Sequence, residues 1–165
     1  MDSAFGVEAN QIVSEVEEFE ALLHSDTNIL EQLGAMFIYK NESDAACAKG
    51  LLQEADLFED IHPLIVFENG VEGECFFDYG FKGENRTYLL KESLIGFSLI
   101  GDGDNQQMIE MAKLQIEEHV VYQATIDYHE LFFVERQLSE LMKRIAEAYK
   151  CGTMFLDLDK WKKKL

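Results

Sequence analysis

The sequence predicts an α+β domain, with a mostly antiparallel sheet and helices packed on one face. Three observations carry that expectation. Residues 63–81, PLIVFENGVEGECFFDYGF, hold two apolar runs around a Gly- and Asn-bearing turn, which is a hairpin signal. Residues 8–33 place Ile12, Val16, Phe19 and Leu23 at helical spacing, with Glu15, Glu17, Glu18 and Glu20 on the remaining face. Residues 104–150 contain neither Gly nor Pro, so nothing in them forbids helix.

Taken in order, the first element is a helix over 8–33, with Ser25 or Asp26 capping a further turn and Gly34 as its stop. AMFIYK (35–40) reads as a short buried strand. Ser43 then caps a helix whose apolar stripe is Cys47, Leu51, Ala55 and Phe58. Strands follow at about 64–68 and 74–81, with Cys75, Phe77, Tyr79 and Phe81 alternating to one side of the second. KGENR (82–86) is a turn, and TYLLKESLIGFSLIGD gives one or two more strands.

From Asp104 to Lys150 the expectation is one very long helix or two end to end. Leu131, Val134, Leu138, Leu141, Ile145 and Ala148 form an a/d seam that should pack on the sheet of 64–100 within the monomer rather than in a dimer. TMFLDLD reads as a last strand and KWKKKL as a basic tail. The order suggests a ferredoxin-like β-α-β-β-α-β core with an added N-terminal helix and a long C-terminal helical segment. No internal repeat is evident. At 165 residues, a single domain over 1–165 is expected.

Composition narrows the function classes. The net charge is −18, and it is lopsided: residues 1–104 hold 22 Asp and Glu against 5 Lys and Arg, a net of −17, while 105–165 hold 10 against 9. Such a field repels nucleic acid and anionic membranes and attracts basic proteins. No apolar run approaches the ~20 residues of a membrane helix, and MDSAFGVEAN lacks the basic and apolar regions of a secretory signal. Cys47, Cys75 and Cys151 are widely spaced, which points to reduced thiols and a cytoplasmic protein, with Cys151 a packing residue.

The loop Gly101-Asp102-Gly103-Asp104-Asn105 is the most site-like motif in the chain. It lacks the third Gly of a dinucleotide fingerprint and the Gly-Lys-Ser/Thr of a phosphate loop, and Lys113 stands where a calcium loop would need Glu. It reads instead as a helix start, with Asp104 at the N-cap and Gln107 completing a capping box. His119 and His129 lack the Glu-x-x-His spacing of a di-iron site, so no metal is expected. No nucleophile motif nominates a catalytic residue, and no cofactor is implied.

The function expected is therefore an acidic binding module. It would neutralise or regulate a basic protein partner, in the manner of an immunity protein or antitoxin-like inhibitor of a toxin or nuclease. The contact residues expected are Glu17, Glu18, Glu59, Asp60, Glu68, Glu72, Glu74 and Asp78, with Phe76 and Tyr79 as aromatic anchors, one of them in the core. The tail lysines Lys160, Lys162, Lys163 and Lys164 and Trp161 are expected to fold back on the chain's own acids or stay solvated. Two other readings are a small-ligand domain or enzyme with a pocket between sheet and helices, and a mimic of DNA aimed at a nucleic-acid-binding protein.

Overall fold

The structure is a computed structural model, and it describes residues 1–101 and 103–160. The α+β class with antiparallel sheets stands. The chain divides into two compact units, one over Asp2–Val66 and the other over Phe67–Leu165 together with Met1.

The first unit runs β1 (Asp2–Ala9), a 3₁₀ turn (Gln11–Glu15), α1 (Glu17–Asp26), β2 (Ile29–Leu33), β3 (Met36–Tyr39), α2 (Glu42–Glu54) and β4 (Phe58–Phe67). Its strands lie in the order β2-β3-β1-β4, with each neighbouring pair antiparallel. This is the split β-α-β-β-α-β arrangement. Along β1, residues 5, 7 and 9 point to the face that the helices cover. Val7, Ala9, Phe37 and Tyr39 there meet Leu23 of α1 and Ala45, Ala48 and Leu52 of α2 in one core. The Tyr39 hydroxyl lies 3.0 Å from that of Thr27, which donates to the Leu23 carbonyl, so the buried phenol is satisfied.

The second unit begins with β5 (Val71–Glu72), a single helical turn α3 (Phe76–Tyr79) and the hairpin β6 (Gly80–Lys82) and β7 (Thr87–Leu90). It continues as β8 (Leu94–Ile100), α4 (Gln106–Ile116), β9 (Val120–Ile126), β10 (His129–Glu135), α5 (Ser139–Ala148) and β11 (Gly152–Leu156). The sheet order is β11-β8-β10-β9-β5, antiparallel throughout. From β8 to β11 this again is β-α-β-β-α-β with the strand order of the first unit. The chain therefore carries the same topology twice, a repeat of architecture that leaves no visible repeat of residues.

In the second unit both sheet faces are apolar. Phe97, Phe132, Val134 and Val120 face Ile116 and Met142 of the helices. On the other face Tyr122 and Phe133 meet Phe67, with ring centroids 5.0 and 5.3 Å from it, and Tyr122 meets Phe76 at 6.1 Å.

Several expectations are corrected. The helix of 8–33 is only α1. Residues 2–9 and 29–33 are strands, and Ile12 and Val16 are exposed rather than part of a core stripe. Gly34 is no helix stop. It takes φ +60° as the first of two residues turning β2 into β3, the glycine position of a type II′ hairpin. Asn41, not Ser43, precedes α2, and the buried stripe is Ala45, Ala48 and Leu52, with Cys47 and Ala55 outside it and Phe58 on β4.

The strand expected at 74–81 is interrupted by α3, which puts Phe76 inside and Phe77 outside. The helix start falls at Asn105, whose side chain makes no cap bond, so the Asp104–Gln107 capping box does not form. The largest correction concerns 104–150, where the β9–β10 hairpin separates two helices of ordinary length. Leu131 and Val134 belong to β10, Leu138 to a 3₁₀ turn, and Leu141 and Ala148 are exposed on α5. The long helix that framed His119 and His129 is thus absent. Asp102 and the tail residues Trp161, Lys162, Lys163 and Lys164 lie outside the described residues.

Candidate functional site: an acidic cleft beside the sheet edge

Four of the expected contact residues lie in the first unit. Glu17 and Glu18 open α1, where carboxylates favour the helix dipole, and both are exposed. Glu59 and Asp60 are consecutive on β4, so they point to opposite sheet faces and do not form one patch by themselves. Glu59 accepts a hydrogen bond from Asn10 at 3.0 Å, while Asp60 pairs in register with Glu8, which in turn bonds His62 at 2.9 Å.

The other six lie in the second unit. Glu68 and Asp78 are exposed. Phe76 is fully buried, so the core role expected for one of the two aromatics is its own. Tyr79 is half-buried; desolvation, and then its hydrogen bond to the Glu135 carboxylate, hold its phenol above the usual range.

Glu72 and Glu74 enter a cleft of about 550 Å³. One wall is Val71 to Glu74. The opposite wall is the C-terminal half of α4 and the turn after it, with Glu110, Lys113, Leu114, Glu117 and Glu118, and the floor is Val120, Gln123 and Phe132. The wall at Gly73 is set by close approach. A Cβ there would stand 1.7 Å from the Val120 carbonyl oxygen, and the Gly73 N–H donates to the Val121 carbonyl at 2.9 Å. Only glycine lets this segment lie against β9.

Five carboxylates and one ammonium thus line the cleft. Lys113 bridges Glu110, at 3.1 Å, and Glu130. Desolvation of its ammonium works against the charge, but the bonds to Glu130 and Glu110 outweigh it and raise its pKa; the same bond lowers that of Glu110. Glu72 pairs with Lys82 at 2.6 Å and Glu118 lies 3.3 Å from His119. Glu74 and Glu117 enter no ion pair among the described residues.

Turn chemistry marked Glu72 and Glu74 in the sequence. The residues that sequence reasoning missed are Glu110, Lys113, Leu114, Glu117 and Glu118, because the long-helix reading carried α4 past the point where it ends. The usable signal was the β-branched and aromatic run VVY from Val120, which starts a strand.

Chemically, the cleft suits a cation with apolar substituents. Among the described residues, no group of three or more His, Cys, Asp and Glu side chains is gathered as a metal site. No helix among them is long and apolar enough to cross a membrane. Compared with family models, curated proteins and solved structures, the chain finds no match.

Proposed function

We propose that this chain is an acidic protein-binding module that covers a basic surface of a partner protein, as an immunity protein or antitoxin-like inhibitor covers a toxin or nuclease. The observation that carries the reading is unspent negative charge. Glu17, Glu18, Glu68, Glu74 and Asp78 are exposed and enter no ion pair among the described residues, in a chain of net charge −18. Several cations of the second unit are already engaged: Lys82 by Glu72, Lys113 by Glu110 and Glu130, Lys143 by Glu140. A field of that sign steers a basic partner to the surface and turns away nucleic acid. The three free cysteines support a reducing, cytosolic setting for that encounter.

Stopped-flow association with a basic nuclease domain, chosen from the gene neighbourhood and tested for inhibition, checks this. The association rate should fall by about tenfold or more between low and physiological salt. Inhibition should weaken when Glu17, Glu18 and Glu74 are changed to Gln together. A rate that stays flat with salt would reject the reading.

The cleft favours one other reading, a small-ligand site, since its volume lies within the ~300–1000 Å³ of enclosed ligand pockets. A thermal shift by a cationic metabolite that vanishes in Glu74→Gln would support that reading instead.

A further inference from the structure

We infer that the cleft between β5 and α4 is a docking groove for a short basic segment of the partner, one that presents Lys or Arg beside an apolar residue. The inference rests on the acidic-module reading and names the surface through which it works.

The first observation is apolar. Val71 is 66% exposed and Leu114 67% exposed, and the two line opposite walls of one cleft above Val120 and Phe132. Single exposed aliphatics are ordinary on a protein surface, but two that share an apolar floor make a place for an aliphatic or aromatic side chain. The second observation is charge. Glu74 and Glu117 stand on the two walls without ion partners among the described residues, so the cleft has carboxylates to offer beyond those that hold Lys113.

Lys113 shows how an ammonium sits in this cleft. Its side chain is mostly buried, and its head is held between Glu110 and Glu130. A second long basic side chain, its stem on Leu114 and its head at Glu74 or Glu117, would repeat that arrangement. β5 is also the last strand of its sheet, so an extended segment can run along it.

The apolar walls argue for a peptide over a polyamine, which would leave Val71 and Leu114 uncovered. The carboxylates argue against nucleic acid or an anionic membrane.

The test titrates ¹⁵N-labelled full-length protein with three probes at low salt: a short peptide alternating Lys and Leu, a peptide of equal charge alternating Lys and Ser, and spermidine. Amide shifts should centre on residues 71–74 and 113–118. The Lys–Leu peptide should bind about tenfold more tightly than the Lys–Ser peptide. Leu114→Ser should remove that advantage, and Glu54→Gln, exposed at the end of α2, should leave it intact. Leu114 is exposed, so its variant is expected to fold, which circular dichroism verifies. Shifts centred elsewhere, equal binding of both peptides, or spermidine matching the Lys–Leu peptide would overturn the groove while leaving the acidic module standing. Failure of all three probes to bind would overturn both.

Discussion

Tyr128 is the side chain whose backbone conformation fits its type least. It and Asp127 form the two-residue turn between β9 and β10, at φ 68° and 49°, and its ring is fully exposed. Two left-handed residues are what a type I′ hairpin requires, and Asn-Gly or Asp-Gly supplies them most cheaply. A left-handed residue other than glycine costs roughly 1–2 kcal/mol, and no buried contact of this exposed ring offsets it. Tyr128→Gly should therefore stabilise the protein by about 0.5–1 kcal/mol after the added chain entropy of glycine. Urea unfolding measures this, and a lower midpoint would mean that the ring makes a contact worth more than the strain.

The same turn shows why the hairpin was hard to read. Asp-Tyr gives a much weaker turn signal than Asp-Gly, so VVYQATIDYHELFFVE looked uninterrupted. By contrast Gly34 gives a plain glycine signal, but the helical spacing before it suits a helix stop as well as a two-residue turn. A left-handed glycine serves both purposes.

At the scale of elements, what was legible was an apolar run bounded by turn residues. β3, β8 and β11 follow such runs, whereas α1 and α2 keep only their regions, since Ile12 and Val16 are exposed and the buried stripe of α2 is Ala45, Ala48 and Leu52. β10 was not legible, because Leu131, Phe132, Phe133 and Val134 are all buried, with apolar neighbours on both sheet faces. Burial on both faces erases the period of two, and what remained matched a heptad by coincidence. β1 hid for another reason, since Ala4, Gly6 and Ala9 are too small to announce a strand. The cleft was half legible. Its β5 wall came from turn chemistry, but its α4 wall required knowing where that helix ends.

The corrected α5 makes a prediction opposite to the seam's. Met142 is fully buried against Phe97 and Ile116, whereas Leu141 is exposed. Met142→Ala should cost about 2–5 kcal/mol and Leu141→Ala within about 0.5 kcal/mol. Chemical denaturation of the two variants decides it, and a larger loss at Leu141 would put the seam back on the helix.

For the whole molecule the governing quantity is charge, because −18 spread over 165 residues sets self-repulsion against a marginal folding free energy. The six Lys–carboxylate pairs and two His–carboxylate contacts among the described residues lie at or near the surface, where such pairs contribute little, so they do not balance a charge of that size. Raising NaCl at pH 7 shortens the screening length from ~30 Å at 0.01 M to ~8 Å at 0.15 M, which quiets repulsion across the molecule more than attraction within a contact pair. The melting temperature should therefore rise with salt at neutral pH.

Acid acts in two stages. Between pH 7 and about 5, protons begin to bind and the net charge shrinks, which favours the fold. Lower down, the paired carboxylates act in the opposite sense. Glu110, Glu140 and Asp157 are held below their usual values first by hydrogen bonds to Lys113, Lys143 and Lys160. A depressed carboxylate stabilises the fold above the unfolded-state pKa of ~4 and loses that contribution as pH falls through its own lower value. Melting temperature against pH should thus pass through a maximum on the acid side of neutrality, and the response to salt should be weaker at pH 5 than at pH 7. A melting temperature that falls on adding salt at pH 7 would show that the ion pairs, not the net charge, control stability.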